Sequence, residues 1–205
     1  MEPKVKKKKV GFFGGTFDPI HLGHLNLALR IREQQGLDEV LFCPAHLSPA
    51  KQHYPPHAIA KHRLNMLELA LEKMAHASVY AKELFRPPPS YTVDTVRALL
   101  EEEKGVELYL ILGEDAAESL HQWKGVETLL SLASPLIGTR FGQVKKERPS
   151  PSAAIYQKIS KGVCVIAAMD IEATEVRERL KNRLYCDHLV PAKVLDYIYQ
   201  NRLYL

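Results

Sequence analysis

An apolar run, Val10 to Phe13, ends at Gly14-Gly15 and is followed by a helical pattern with Leu22, Leu25 and Leu29 on one face. That pattern closes at Gly36, and a second apolar run, Val40 to Cys43, follows at once. Strand, tight loop, helix, strand in the first forty-odd residues is the signature of a right-handed parallel crossover. The alternation continues along the chain. Helical periodicity covers Ala58 to Met74, with Leu64, Leu67 and Leu71 aligned, and Tyr91 to Glu103. Short apolar runs at Val79 to Ala81, Leu108 to Leu112, Leu136 to Gly138 and Val163 to Ala167 read as strands. Thr174 to Arg183 reads as a helix with Val176, Leu180 and Leu184 one turn apart, and Ala192 to Gln200 as a closing helix. Such alternation predicts an α/β protein with a mainly parallel sheet. Three loops interrupt it, Pro44 to His57, Arg86 to Ser90 and Phe141 to Ala154, and each reads as a lid over a ligand or as plain surface connection.

The chain has 205 residues, 46% hydrophobic and 25% charged, which suits one domain with a full core and excludes a disordered chain. There are no repeats and no low-complexity segment. The longest apolar stretch, Val163 to Met169, is too short to span a bilayer, and Met1 to Lys9 has no apolar signal region. The lysine run Lys4, Lys6, Lys7, Lys8, Lys9 carries much of the net charge of +4. It reads as a tether to nucleic acid or a membrane surface, or as a solvated tail. The expectation is a flexible tail over residues 1–9 and a single domain over 10–205, with no nucleic-acid or membrane partner. Nothing in the pattern specifies an oligomeric state. Cys43, Cys164 and Cys186 are odd in number and far apart, which predicts reduced, buried thiols and a cytoplasmic protein. A mildly basic chain also suits an anionic substrate.

The string Gly14-Gly15-Thr16-Phe17-Asp18-Pro19-Ile20-His21-Leu22-Gly23-His24 holds the chemistry. Two glycines allow close backbone approach to a ligand, and His21 and His24 share one face at a helix start. Gly23 between them leaves room above the helix end. Free N–H groups and the positive end of the helix dipole favour phosphate there, at the carboxyl end of the first strand. A His pair at this spacing could also be half of a metal site. No matching third ligand stands out, although His53, His57 and His62 lie in or near the first loop, and no protein-bound metal is expected.

As a unit this string resembles the nucleotidyltransferase superfamily with the His-x-Gly-His signature. The resemblance implies a Rossmann-like parallel sheet with helices on both faces and a small C-terminal helical portion. A second segment, Ile171-Glu172-Ala173-Thr174-Glu175-Val176-Arg177, is similar to that superfamily's Ile-Ser-Ser-Thr-x-x-Arg signature, with Glu172 where a serine is usual. Thr174 reads as the cap of the following helix, with Arg177 in its first turn. The resemblance implies ATP binding by Gly14, Gly15, Thr16, Phe17, His21, His24, Thr174 and Arg177. Asp115 reads as a helix N-cap or as a partner for the ATP ribose.

Three more segments resemble the bacterial nicotinate-nucleotide adenylyltransferases. Pro44 to Lys51 is similar to their Pro-Pro-His-Lys lid, with Ala50 in place of the histidine. Ser90-Tyr91-Thr92 is similar to their Ser-Tyr-Thr helix start, and Gly113-Glu114-Asp115 with Trp123 to their Gly-x-Asp…Trp segment. The ending, Leu189 to Leu205, also looks like theirs, and Phe141 stands where a proline often follows Arg140. The implied acceptor is nicotinate mononucleotide, held by Ser90, Tyr91, Thr92, Trp123, Lys124 and Arg140. Trp123 can stack on a pyridine ring or serve as a core residue. The implied reaction is in-line attack of the acceptor phosphate on the α-phosphorus of ATP, giving the deamido dinucleotide and pyrophosphate. His21, His24, Lys51 and Arg177 would neutralise charge, and Mg²⁺ would arrive with ATP. Two rivals stand beside this: another acceptor, such as nicotinamide mononucleotide or phosphopantetheine, and a nucleotide-binding regulator without catalysis.

Overall fold

Strand β1, Lys8–Gly15, is the spine of the molecule, because every later element is laid out on one side of it or the other. The computed structural model describes residues 7–49, 54–140 and 153–205. The further strands are β2 (Glu39–Pro44), β3 (Ala77–Val79), β4 (Val106–Gly113), β5 (Ser134–Thr139) and β6 (Val163–Val165). They form one sheet in the order β3-β2-β1-β4-β5-β6, and every pairing is parallel. The order reverses direction between β1 and β4. At such a switch point the loops leaving two neighbouring strands diverge and open a crevice at their carboxyl ends. The crevice is therefore framed by Gly14-Gly15 and Gly113.

The sheet is covered on both faces, as a parallel sheet must be. Alternation along each strand sends Phe13, Val40, Phe42 and Ile111 to one core and Val10, Phe12, Cys43, Leu110 and Leu112 to the other. The first core is closed by α1 (Leu22–Gln35), α2 (Ala60–Leu71), α7 (Ala173–Lys181) and α8 (Ala192–Gln200). The second is closed by α3 (Thr92–Glu102), α5 (Val126–Leu132) and α6 (Ala153–Lys161), with the short α4 (Glu114–Ser119) at the mouth of β4. The expected α/β class, two-faced cover and C-terminal helical portion all stand.

Several details differ from the sequence expectation. The buried stripe of α1 is Leu25, Ala28 and Ile31, and Leu22 and Leu29 are only half-buried, because the helix leans on both sheet and C-terminal segment. Gly36 ends α1 as expected, in the left-handed region at φ 61°, and its N–H caps the Arg32 carbonyl. In α7 only Val176 and Leu180 are buried; Leu184 lies beyond the helix and is exposed. β1 begins at Lys8, so Lys8 and Lys9 of the expected tail belong to the sheet, and Lys8 pairs with Glu39 at 2.6 Å. Residues 1–6 lie outside the described residues. α4, α5 and α6, and the 3-10 turns Ala81–Phe85 and Leu120–Gln122, were not expected from periodicity. All three cysteines are buried free thiols, and burial raises each thiol pKa. No helix among the described residues is long and apolar enough to cross a membrane.

The largest fully buried side chain is an arginine. Arg63, in the first turn of α2, is 1% exposed. Its guanidinium donates to the carbonyls of Thr16 and Ala45 at 2.7 Å, and of His46 and Ala58 at 3.2 Å. It thereby joins the loop after β1, the loop after β2 and the approach to α2. Buried carbonyls left without donors cost about 1–3 kcal/mol each, partly recovered by relaxation. Arg63→Met keeps the stem and removes the donors. It should lower unfolding free energy by roughly 3–5 kcal/mol. A urea titration checks this; a loss below about 1 kcal/mol would contradict the clamp.

Candidate active site

β1 delivers the first motif straight into the crevice. His21 is the N-cap of α1, with an extended backbone. Its ring is 4% exposed and stacks on His24 with centroids 3.6 Å apart and planes 29° apart. The His21 N–H reaches His24 Nδ1 at 3.4 Å. His24 is also edge-on to Phe17, centroids 5.1 Å apart, so the two histidines are set by packing as well as by helix spacing. Gly23 has a different reason from the one expected. A Cβ there would sit 3.1 Å from His21 Nδ1, 3.2 Å from its Cε1 and 3.3 Å from Ile171 Cβ. The space above the helix end is filled by His21 and by the second motif rather than left open.

Among the described residues, His21 Nδ1 is one of three buried side-chain N or O atoms without a hydrogen-bond partner. The helix amides are partly spent already: Leu22 N–H donates to the Leu189 carbonyl and His24 N–H to that of His21. The expected anion cradle at the helix start therefore loses two of its donors. Phe17 is 1% exposed and adopts φ 48°, so its ring belongs to the core with Phe13 and Phe42, and only its backbone can face a ligand.

Sequence reading gave no role to Asp18, yet it organises the loop. Its carboxylate, in a residue 4% exposed, accepts the N–H groups of His57 at 2.7 Å and Ala58 at 3.1 Å, and the Tyr204 hydroxyl at 2.6 Å. Its own carbonyl accepts Arg177 Nη1 at 2.8 Å, across 159 residues. The two motifs therefore meet. Arg177 Nη2 also donates to Thr174 Oγ1 at 3.1 Å. These bonds use two of the five guanidinium N–H donors. Thr174 lies inside α7 and does not cap it; Glu172 occupies the N-cap, exposed and without a side-chain cap bond. Arg177 falls in the second turn for the same reason. An acidic residue inside an anion-binding string, and an arginine one turn from Met66 and Leu67 on an apolar stripe, were the readable signs of Asp18 and Arg63.

The expected acceptor residues form a second group. Lys124 Nζ lies 4.0 Å over the Tyr91 ring and 3.3 Å from Asp94 of α3, which brings the Trp123-Lys124 segment against the start of that helix. Tyr91 is the N-cap of α3 and Thr92 its first residue. Trp123 is half-buried and packs on the second core; it borders a cavity of about 340 Å³ that reaches Ile155. Ser90 is tied to the loop after β2: its hydroxyl accepts the His46 N–H at 3.0 Å and its N–H donates to Leu47. Beneath it, the carboxyl of Glu83 takes the Thr95 hydroxyl at 2.6 Å, and burial raises its pKa. Asp115 is exposed in the first turn of α4, whose N-cap is Gly113, so the N-cap reading fails. Arg140 is exposed at the end of β5, 3.5 Å from Asp170, and its N–H donates to Glu114. Lys51, Ala50, His53 and Phe141 lie outside the described residues. No group of three His, Cys, Asp or Glu among the described residues could hold a metal ion.

A protein-family model described as cytidylyltransferase-like matches residues 12–179. The chain is 36% identical over 197 residues to the nicotinate-nucleotide adenylyltransferase of Bacillus subtilis strain 168, covering 96% of this chain and 98% of that one. It is 34% identical, with the same coverage, to the probable nicotinate-nucleotide adenylyltransferase of Bacillus licheniformis. The Plasmodium falciparum nicotinic acid mononucleotide adenylyltransferase complexed with NaAD superposes with a TM-score of 0.74 at 22% identity, over 96% of this chain and 97% of that one, a likeness of fold.

Burial holds the His21 pKa down at about 4 against an ordinary 6.5, so the ring is neutral near pH 7. Between those values the unfolded chain binds a proton that the folded protein refuses. Stability is therefore complete above the ordinary value and declines as pH falls through the window. From about pH 7 to about pH 5 this one residue should cost roughly 2 kcal/mol. Urea titrations at both pH values should show His21→Ala losing less stability than the parent by about that amount. Equal losses would contradict the buried, neutral ring.

Proposed function

Since the chain belongs to the cytidylyltransferase-like family and, within it, to the nicotinate-nucleotide adenylyltransferases, we infer from its own residues how it moves the adenylyl group of ATP. The reaction joins that group to nicotinate mononucleotide, releases pyrophosphate and makes the deamido dinucleotide of NAD biosynthesis. The observation that carries the residue-level reading is the Arg177 bond to the Asp18 carbonyl, which puts both phosphate motifs at the switch point of the sheet.

On this reading the triphosphate lies along the backbone of Gly14, Gly15, Thr16 and Phe17, against His21, His24, Thr174 and Arg177. The orphaned Nδ1 of His21 supports a polar ligand nearby, since a buried nitrogen without a partner is costly. Asp115, exposed beside the end of β4, is assigned to the ribose hydroxyls on this reading. The acceptor lies toward α3: the pyridine against Trp123, its carboxylate near Tyr91, Thr92 and Lys124, with Ser90 fixing the loop and Arg140 at the rim.

The nucleophile is a phosphate oxygen, already anionic, so no general base is needed. It attacks the α-phosphorus in line, the bond to the β-phosphate oxygen breaks, and pyrophosphate leaves with that electron pair. The protein's part is positioning and neutralising charge. His21 does this as a neutral N–H donor, and Arg177 and Lys51 as cations. The carboxylate of Asp18 is committed to protein donors, and no described cluster suits a resident ion, so no step is assigned to a protein-held metal. Mg²⁺ arriving with ATP would supply counter-charge to the triphosphate. Glu172 is exposed at the head of α7, consistent with a side chain turned away from the triphosphate. Three buried free thiols fit a cytoplasmic setting.

The experiment is a pyrophosphate-release assay with ATP, Mg²⁺ and paired acceptors. Nicotinate mononucleotide should beat its amide by about 1.5–3 kcal/mol in kcat/KM, the worth of one charge-assisted hydrogen bond. Equal values would show a pocket blind to the carboxylate. No turnover with any acceptor would favour the regulator.

A further inference from the structure

The chain's last residues turn back onto the first motif. After α8, Asn201 N–H donates to the Tyr197 carbonyl, Arg202 N–H to that of Tyr199 and Leu203 N–H to that of Ile198. Arg202 and Tyr204 both adopt left-handed backbone, at φ 51° and 62°, without being glycine. Non-glycine residues adopt the left-handed region rarely, so such a path needs a compensating contact. A specific contact must hold it. That contact is the Tyr204 hydroxyl on Asp18 Oδ1, with the ring packed on the first core. Burial beside the Asp18 carboxylate pushes the phenol pKa far up, so the hydroxyl stays a donor.

Asp18 stands three residues before His21, and its carbonyl is where Arg177 lands. A second link joins the same C-terminal segment to the site: the Leu189 carbonyl takes the N–H of Leu22, first residue of α1. α8 itself is fastened to α2 through the Tyr197 hydroxyl, which meets His62 and Asn65 at 2.8 Å. α2 carries Arg63, which holds Thr16 in the same loop. The C-terminal segment thus grips the phosphate loop from two sides.

We propose that Tyr204 is a positioning residue for adenylyl transfer, its hydroxyl setting Asp18 and, through it, the loop that carries His21 and receives Arg177. The inference rests on the function read above. It goes beyond it by tying the rate to Tyr204, whose hydroxyl is spent on Asp18. Without the hydroxyl, Asp18 keeps two amide donors and can rotate toward His57, whose Nδ1 is already 3.6 Å away. The carbonyl beneath Arg177 moves with it.

The test is Tyr204→Phe, which keeps the ring and removes one oxygen. Three quantities are read well below the melting temperature: kcat, KM for nicotinate mononucleotide, and the Kd of a non-hydrolysable ATP analogue by calorimetry. A misplaced contact of this kind costs about tenfold in kcat and about tenfold in analogue affinity, while acceptor KM stays within about twofold. A chain truncated after Leu203 should show the same split and serves if the Phe variant does not fold. Wild-type kcat and analogue Kd in a variant with only a lower Tm would overturn the proposal, leaving Tyr204 as an anchor of the terminus. A wild-type protein without turnover would strike at the proposed function instead, and the analogue Kd would still decide the role of Tyr204.

Discussion

A guanidinium inside a protein is tolerated only where its donors are met, and Arg63 sets that condition for three loops at once. Its partners are four backbone carbonyls, and the carboxylate of Asp18 is an opposite charge acting on it. The carbonyls belong to segments that leave β1, leave β2 and enter α2. None of these has regular structure to satisfy it, so the arginine substitutes for a ladder. Desolvation lowers the Arg63 pKa, but an arginine starts so high that it stays charged. The site is thus built around a fixed positive charge beneath the loop that would meet the triphosphate.

This arrangement matches what the chemistry demands. An anionic nucleophile attacking a charged phosphorus needs oriented donors and a loop that does not rearrange during the reaction. Asp18 and Arg63 provide stiffness from below, and the stacked His21 and His24 provide it at the helix start. Phe17 at φ 48° is a strained link in that loop, held by its aromatic neighbours. The carboxylate inside the motif is compatible with an anion site because it is engaged by three protein donors.

The sheet, its direction and the first crossover were legible because apolar runs and glycine stops repeat at helix and strand periods. Short helices were not: α4, α5 and α6 have six, seven and nine residues, too few turns for a stripe to show. The stripe of α1 was misplaced because two surfaces compete for that helix, and Thr174 was misread as a cap because α7 starts at Ala173. The motif histidines and Arg177 were legible from their resemblance to known signatures. Asp18, Arg63 and Tyr204 gained their roles chiefly through contacts 17 to 186 residues apart, which no local spacing encodes.

The central claim is that the loop after β1 is a preformed phosphate site. Crystal structures of the protein alone and with a non-hydrolysable ATP analogue test it directly. The account predicts that the backbone of residues 14–21 superposes within about 1 Å in the two states, with phosphate oxygens in hydrogen-bond distance of His21 and Arg177. An analogue bound away from this crevice, or a loop rebuilt so that Arg177 leaves the Asp18 carbonyl, would contradict it.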